Sequence, residues 1–299
     1  MINTAVIPAA GLGTRMLPAA KAVPKELLPV VDRPAIQYVV EEAALAGAGE
    51  VVLVSSPRKR AVEEHFQPDP ELSARLASSG KADLLRSIDE LIARVRVTAV
   101  DQPRQLGLGD AVGQSRGRVD GPFLCLLGDA IFSGEVLPAV ELARAHARLG
   151  GSVIGLERVP PEKVSRYGVV AGREIEPGLL RLDDLVEKPS RDTAPSNLAI
   201  AARYVLSPAI FECIDRVAPG AGGEIQLTDA IRLLLQREPV HAVVLSARRH
   251  DIGNPIDWLA ANLAFAARRG DVWEKIAPIV HDLSRRAAEM NREKNPTSP

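Results

Sequence analysis

The sequence contains little cysteine: Cys125 and Cys213 are its only two in 299 residues, and they lie far apart. This number and spacing exclude a disulfide framework and a cysteine-based metal site, and they fit a reducing cytosol. Both cysteines stand beside apolar residues. We therefore expect both to be buried packing residues.

The sequence also lacks an excess of one charge and any long apolar run. Its 37 Lys and Arg residues nearly balance its 38 Asp and Glu residues, which gives a formal net charge of −1. The whole protein therefore has no general attraction to nucleic acid, and phosphate must be recognised at a local site. No signal peptide is visible, and no apolar run approaches the roughly 20 residues that span a bilayer. We expect a cytoplasmic protein that binds neither nucleic acid nor a membrane.

Short β-branched segments alternate with segments of helical periodicity along most of the chain. The predicted strands of this part are residues 4–8, 50–55, 95–100, 122–127 and 152–156. Their nearly continuous apolar runs are typical of parallel strands covered on both faces. The alternation predicts an α/β fold with a doubly wound, Rossmann-like, mixed but mostly parallel sheet. Residues 167–206 differ, because short strands around turns predict a small antiparallel part.

A glycine-containing loop, Ala9-Ala10-Gly11-Leu12-Gly13-Thr14-Arg15, follows the first predicted strand. Ligands of open α/β sheets bind beyond the carboxyl ends of the strands, and small residues let the backbone approach phosphates or a base. Arg15 and Lys25 supply charged contacts for phosphate. Met16 stands where a dinucleotide fingerprint needs a small residue, and the Gly-Lys-Ser/Thr of a Walker loop is missing. The loop therefore predicts a nucleotide site of another type.

The segment IPAAGLGTRMLPAAKAVPKELLPVVDRPAIQYVVEEA, residues 7–43, resembles the signature of the sugar-1-phosphate nucleotidyltransferases. Pro195–Ile200 (PSNLAI) and Pro219–Ile231 (PGAGGEIQLTDAI) resemble its bacterial UTP–glucose-1-phosphate uridylyltransferase branch, and the resemblance covers roughly residues 2–265. It implies transfer of a uridylyl group from UTP to glucose 1-phosphate, which forms UDP-glucose and pyrophosphate. It also implies Mg²⁺ as the metal and a homodimer or homotetramer.

The resemblance also implies how the chain is organised. We expect one nucleotidyltransferase domain over residues 1–284, with a nucleotide-binding part at about 1–160 and a sugar-binding part at about 161–265. C-terminal helices are expected at about 255–284. Residues 285–299 are polar and end in a proline-containing segment, so we expect a disordered tail.

Each group of candidate site residues has a chemical reason. The catalytic candidates are Arg15, Lys25, Asp129 and Lys188. The nucleotide-binding candidates are Ala9, Ala10, Gly11, Gly13, Glu26, Gln102 and Gly107. The sugar-binding candidates are Gly168, Glu187 and Asn197, and the metal ligands are Asp129 and Asp251. Carboxylates suit Mg²⁺, an amide suits a pyrimidine edge, and the cations offset phosphate charge.

Two alternatives remain open at this level. The triplet Gly128-Asp129-Ala130, followed by Ile131-Phe132, is more similar to the thymidylyltransferase branch, which would make dTDP-glucose. A non-catalytic regulator that binds a nucleotide sugar is the other, although such a protein has no physical need for cations facing a leaving group. Asp251 could also be a turn residue or a helix cap.

Overall fold

The protein is described by a computed structural model over residues 2–220 and 223–294; residues 1, 221–222 and 295–299 lie outside the described part. The described strands are β1 (Thr4–Pro8), β2 (Pro29–Val30), β3 (Arg33–Pro34), β4 (Glu50–Ser55), β5 (Arg96–Asp101), β6 (Phe123–Leu126), β7 (Ala130–Ser133), β8 (Ser152–Arg158), β9 (Gly168–Glu176), β10 (Leu179–Glu187), β11 (Leu198–Leu206), β12 (Val240–Val244) and β13 (Arg248–Asp251). The described α-helices are α1 (Ala35–Leu45), α2 (Arg60–Glu64), α3 (Pro70–Ser78), α4 (Arg86–Arg94), α5 (Leu108–Gly113), α6 (Pro138–Leu149), α7 (Ala209–Arg216), α8 (Leu227–Leu234), α9 (Pro255–Ala266) and α10 (Gly270–Lys294).

Nine strands form one mixed sheet in the order β5-β4-β1-β6-β11-β8-β12-β10-β9. The neighbours from β5 to β6 are parallel, as are β8 and β12. β11 is antiparallel to both of its neighbours, and β10 is antiparallel to β12 and β9. Four of the eight neighbouring pairs are therefore parallel and four are antiparallel. The predicted α/β fold with a mixed sheet is confirmed, but the prediction of a mostly parallel sheet is wrong, because β11 and the β9–β10 hairpin pair antiparallel with their neighbours.

Helices cover both faces of this sheet. Since successive residues of a strand point to opposite faces, neighbouring residues of a buried strand pack against helices on different sides. Val6 of β1 belongs to an apolar cluster that includes residues of α5, α7 and α8. Ile7, the next residue, belongs to a second cluster that includes residues of α1 and α6. Cys125 and Cys213 are free and buried, as predicted.

The hairpin β9–β10 ends the sheet on one side. Val169, near the start of β9, also pairs with Ala199 of β11, so β11, β8, β12, β10 and β9 form a closed ring of pairings. Within residues 2–220, the outer half of β9, residues 171–176, pairs only with β10. This hairpin and β11 form the antiparallel part that the sequence predicts at residues 167–206.

A backbone irregularity in β11 places a charge inside the protein. Ala202 has a φ of 59°, and the register between β11 and β8 shifts at this point. The side chain of Arg203, which follows, is fully buried, and its Nη2 lies 2.8 Å from Glu42 Oε2. The Arg203 guanidinium also donates to the carbonyls of Leu127 and Ala130. A buried ion pair thus supports the chain on both sides of Gly128-Asp129.

The C-terminal region differs from expectation. Helix α10 continues to Lys294, so it includes the first ten residues of the segment 285–299 that was expected to be a disordered tail. Ion pairs at the beginning of the segment 285–299 explain this: Asp282 pairs with Arg285 and Arg286, at three- and four-residue spacings that stabilise a helix. The last five residues of the segment lie outside the described part. None of the described helices has the length and apolarity needed to cross a membrane.

Candidate active site

The glycine loop forms the wall of a cavity of about 350 Å³ beyond the carboxyl ends of β1 and β6. Six of the seven predicted nucleotide-binding residues line this cavity: Ala9, Ala10, Gly11, Glu26, Gln102 and Gly107. A neighbouring cavity of about 640 Å³ shares Lys25 and Gln102 with it, so the two form one crevice along the loop. Gly13, the seventh residue, has a φ of 66°, and a Cβ there would lie 3.3 Å from Lys25 Cδ. It therefore makes room for Lys25.

Lys25 and Asp129 form a partly buried ion pair in the wall of the cavity. Lys25 Nζ lies 2.5 Å from Asp129 Oδ2, and only 10% of the Lys25 side chain is exposed. Burial lowers the pKa of Lys25, but the charges of Asp129 and Glu26 outweigh it and raise that pKa. Burial raises the pKa of Asp129, but the charge and hydrogen bond of Lys25, together with the charge of Arg15, hold it below the usual value. Both groups therefore stay charged at neutral pH.

The second predicted metal ligand, Asp251, ends β13 and lies beside Asp129, which directly precedes the paired strand β7. Asp251 pairs in register with Ala130, and the Ile252 N–H donates to the Asp129 carbonyl at 2.9 Å. The Gly253 N–H donates to Asp251 Oδ1 at 2.6 Å. A Cβ on Gly253 would lie 2.6 Å from Arg15 Nη2 and 2.8 Å from Asp251 Oδ1, so Arg15 approaches the same place. The structure thus brings Arg15, Lys25, Asp129 and Asp251 together.

A second buried ion pair, between Glu26 and Lys59, lies under the glycine loop. Lys59 Nζ donates to both Glu26 carboxylate oxygens at 2.9 Å and to the carbonyls of Ala9 and Gly11 at 2.6 Å. Burial raises the pKa of Glu26 and lowers that of Lys59, although each group favours the charged form of the other. Glu26 is 1% exposed and its carboxylate is occupied by Lys59. Glu26 therefore supports the loop, and its predicted part in nucleotide binding stays a prediction.

Lys59 is missing from the residues predicted from the sequence. It follows β4 in the run Pro57-Arg58-Lys59-Arg60, just beyond the carboxyl end of a strand. The position of ligand sites at such strand ends is the signal that could have identified it.

Gln102 is oriented by its own loop. Its amide nitrogen donates to the Gly107 carbonyl at 3.2 Å and to Asp110 Oδ2 at 2.7 Å. With both N–H groups used, the carbonyl oxygen is the part of the amide left to accept a hydrogen bond from a ligand. Gly107 has a φ of 102°, and a Cβ there would lie 2.7 Å from the Ile225 carbonyl. Glycine at this position is therefore required by contact with the protein itself.

The predicted sugar-binding residues lie apart from this cavity lining, at the hairpin of β9 and β10. Glu187 pairs in register with Gly168, and Lys188 Nζ lies 3.6 Å from Glu187 Oε1. Lys188 has a φ of 46°, and its N–H donates to the Tyr167 carbonyl at 3.0 Å. Asn197 is exposed just before β11, and its carbonyl accepts from the Val159 N–H at 3.0 Å.

Two names are used below for the two parts of the site. The loop side consists of the glycine loop (residues 9–15) with Lys25, Gln102 and Asp129. The hairpin side consists of Gly168, Glu187 and Lys188. Residues 224–228 connect them, because Glu224 lines the loop-side cavity and the Thr228 hydroxyl donates to Glu187 Oε2 at 2.7 Å. Residues 221–222, within the motif 219–231, lie outside the described part.

This fold and this arrangement of a glycine loop, paired cations and carboxylates define an α/β nucleotidyltransferase. The chain belongs to the nucleotidyl transferase family, whose profile matches residues 4–268. A UTP–glucose-1-phosphate uridylyltransferase of Bacillus subtilis (strain 168) is 40% identical over 283 residues, which cover 94% of this chain and 97% of the relative. The predicted resemblance to the uridylyltransferases is confirmed.

Solved structures agree with the sequence relatives. A UTP-bound UGPase from Acinetobacter baumannii is 35% identical, with a TM-score of 0.87, and the match covers 95% of this chain and 100% of that one. A UDP-glucose pyrophosphorylase complexed with UDP-glucose is also 35% identical, with a TM-score of 0.83, and the match covers 90% of this chain and 100% of that one.

Proposed function

We propose that the chain transfers a uridylyl group from UTP to α-D-glucose 1-phosphate, which forms UDP-glucose and pyrophosphate. The observation that carries this proposal is the partly buried ion pair of Lys25 and Asp129 in the wall of the glycine-loop cavity. A fixed cation and a fixed carboxylate meet there, beside backbone that can approach a nucleotide closely. The names of relatives that are similar over almost the whole chain support the same activity.

In the proposed reaction, a phosphate oxygen of glucose 1-phosphate attacks the α-phosphorus of UTP, and the bond to the β-phosphate oxygen breaks. A phosphate monoester is largely ionised at neutral pH, so no general base is required. Catalysis then consists of positioning and charge neutralisation. We assign Arg15 and Lys25 to the triphosphate and the leaving pyrophosphate, and Lys188 to the attacking phosphate.

Asp129 and Asp251 are the residues that would hold Mg²⁺. Their fit rests on two hard oxygen donors at the same end of the β7–β13 ribbon, Asp129 directly before β7 and Asp251 at the end of β13, and Mg²⁺ commonly uses one or two carboxylates together with substrate phosphates. When bound, the ion would offset negative charge on the phosphate oxygens. Lys25 holds one oxygen of Asp129 and the Gly253 N–H holds one oxygen of Asp251, so this chain orients both carboxylates itself.

The remaining residues give specificity in this proposal. The carbonyl oxygen of Gln102 accepts from the N–H of the uracil ring, because its amide nitrogen is held by the loop. The carboxylate of Glu187 accepts from sugar hydroxyls, and Asn197 completes the sugar pocket. Gly11 fits close approach of the nucleotide, because a Cβ there would meet no protein atom within 4 Å among the described residues.

Thymidylyl transfer is the competing activity, and the triplet Gly128-Asp129-Ala130 is its sequence support. A Cβ on Gly128 would lie 3.2 Å from Ile36 Cδ1 and from the Pro8 carbonyl, so packing against these two residues explains the glycine at this position. Ala130 is buried in an apolar cluster with Phe132. Of the three triplet residues, Asp129 alone lines the loop-side cavity. The departure from the uridylyltransferase pattern therefore concerns residues behind the site.

Pyrophosphate release tests the proposal, measured with purified protein, Mg²⁺, glucose 1-phosphate and each of UTP, dTTP, CTP, ATP and GTP. We expect release with UTP to exceed that with dTTP by about tenfold or more. A preference for dTTP would assign the chain to thymidylyl transfer instead. Binding of UDP-glucose without release from any triphosphate would indicate a non-catalytic regulator.

We also propose a homodimer or homotetramer. The C-terminal helices carry large apolar residues that are exposed in the single chain: Ile256, Leu259 and Leu263 on α9, and Ile279 and Leu283 on α10. Apolar residues grouped in this way are typical of an interface between proteins. Light scattering coupled to size-exclusion chromatography would give the mass in solution, and a monomer would contradict this part.

A further inference from the structure

The hydroxyl of Thr228 in α8 reaches the carboxylate of Glu187 on the hairpin side. Thr228 Oγ1 donates to Glu187 Oε2 at 2.7 Å, across 41 positions of the sequence. Thr228 is only 6% exposed, so the protein itself supplies the partner of this hydroxyl. The N-terminal cap position of α8 belongs to Gln226. The hydroxyl therefore serves a carboxylate of the candidate site and not the end of its own helix.

Gly168 provides the space for this contact. A Cβ on Gly168 would lie 2.8 Å from Thr228 Oγ1 and 3.2 Å from Glu187 Oε2. The first of these distances is too short for a real side chain, so any larger residue at 168 would push the hydroxyl away. Gly168 and Glu187 are register partners of β9 and β10. Glycine at this position keeps the hydroxyl and the carboxylate in contact.

The start of α8 is fixed by the loop side. The Ile225 N–H donates to the Leu106 carbonyl at 2.6 Å, and the Gly109 N–H donates to the Ile225 carbonyl at 2.8 Å. A Cβ on Gly107 or Gly109 would lie within 3 Å of the same carbonyl. Thr228 follows three residues later, so its position is set by the loop that carries Gln102 and Gly107.

We propose that Thr228 is a positioning residue for sugar binding, whose hydroxyl holds the Glu187 carboxylate in the orientation that accepts hydrogen bonds from the glucose hydroxyls. This inference rests on the proposed function. A free glutamate side chain loses conformational entropy when it binds a ligand, and holding it beforehand lowers that cost. The contact uses Oε2, while Oε1 faces Lys188 Nζ at 3.6 Å. Thr228 thus affects how the sugar half of the ligand is bound and leaves binding of the nucleotide half unchanged.

The variant Thr228→Val removes the hydroxyl and keeps the branched shape. We expect KM for glucose 1-phosphate to rise by about tenfold, since the lost hydrogen bond involves a charged group. KM for UTP should stay within about twofold, and Thr228→Ser should restore the KM for the sugar phosphate because it restores the donor. Calorimetry should show that binding of UDP-glucose weakens by the same factor, while binding of UDP is unchanged.

Thr98→Val, a half-buried Thr→Val change on β5 away from the site, is the matched control, and we expect it to leave both KM values unchanged. Equal weakening of UDP and UDP-glucose binding in Thr228→Val would overturn the proposal, because it would show a general disturbance of α8. An unchanged KM for glucose 1-phosphate would overturn it as well.

Crystal structures without ligand separate this inference from the proposed function. We expect the Glu187 carboxylate to leave its position in Thr228→Val and to keep it in Thr228→Ser. A Glu187 carboxylate that stays in place without the hydroxyl contradicts the positioning role, whatever the substrate is. Failure of the proposed function looks different, because the wild-type protein would then show no turnover with UTP and glucose 1-phosphate.

Discussion

On the loop side of the crevice the Lys25 ammonium is largely buried and paired with Asp129, whereas on the hairpin side the Lys188 ammonium reaches solvent. Lys25 is held by Asp129, and Lys59 is held by Glu26 beneath the loop. Lys188 is 54% exposed, and its nearest carboxylate oxygen is 3.6 Å away. The protein therefore fixes the Lys25 and Lys59 charges before a ligand is present, while the hairpin side keeps the Lys188 cation available for one. Preorganised charge is the kind that stabilises a transition state most.

The largest effect is expected from removing a charge on the loop side. In Asp129→Asn, Lys25 loses its counter-charge and the proposed metal site loses a carboxylate, so turnover should fall by about a thousandfold or more. Pyrophosphate release measured across a Mg²⁺ titration checks this. Asp120→Asn, at an exposed residue just before β6, is the control. Near-normal turnover in folded Asp129→Asn would remove Asp129 from the mechanism.

The fully buried ion pair of Glu42 and Arg203, which supports the chain around Asp129, extends the comparison from activity to the free energy of unfolding. Arg203→Met leaves the Glu42 carboxylate buried without its partner, so the free energy of unfolding should fall by about 3–5 kcal/mol. Urea unfolding measures it, and Arg148→Met, which breaks an exposed ion pair with Glu176, should have little effect. The double variant Arg203→Met/Glu42→Met should be more stable than Arg203→Met alone. If it is less stable, the lost attraction and not the unpaired charge dominates the cost.

Breaking the Glu26–Lys59 pair under the glycine loop should lower the free energy of unfolding by less than breaking the Glu42–Arg203 pair. In Lys59→Met, burial has already raised the pKa of Glu26, so this carboxyl can become neutral once its partner is gone. We expect a loss of about 1–3 kcal/mol in the free energy of unfolding, because the Ala9 and Gly11 carbonyls also lose their donor. Chemical denaturation measures it. Arg60→Met, an exposed neighbour, is the control, and equal losses in both variants would contradict a special role for Lys59.

The smallest effect is expected on the hairpin side. Lys188→Met keeps the length of the side chain and removes an exposed charge, so thermal stability should be unchanged. The KM for glucose 1-phosphate should rise by about tenfold, as expected for one charged contact with phosphate. Steady-state kinetics with both substrates checks this. A loss of turnover as large as that of Asp129→Asn would show that the two sides are equally preorganised, which breaks the comparison.

Local patterns account for the parts of the molecule that the sequence predicts. The first strand, the glycine loop after it and the carboxylate after β6 follow from apolar runs and from where strands end. The predicted positions of Lys25, Asp129 and Gln102 in one crevice follow from the same rule. These features depend on neighbours in the sequence or on a general property of α/β sheets.

The remaining contacts could not be predicted, because they join residues that are distant in the sequence. Glu26 meets Lys59 across 33 positions, and Glu42 meets Arg203 across 161. No periodicity connects such positions, so Glu26 looks like a free carboxylate in the sequence and Arg203 looks like a surface residue. Ala202 adopts a left-handed conformation that turns Arg203 inward. This conformation is usually adopted by glycine, so an alanine gives no signal of it in the sequence.

The outer half of β9 is an open sheet edge and therefore affects whether copies of the protein aggregate at high concentration. Its outward-facing backbone groups, which pair with no strand in the described part of the chain, are of the kind that attract strands of other chains, and Ile175 adds exposed apolar surface there. Arg173, Glu174 and Glu176 surround Ile175, and Glu176 is further held by Arg148 of α6. Charges at an open edge repel an approaching strand and oppose fibre growth. The hairpin that carries Gly168 and Glu187 can therefore stay solvent-accessible without becoming an aggregation site.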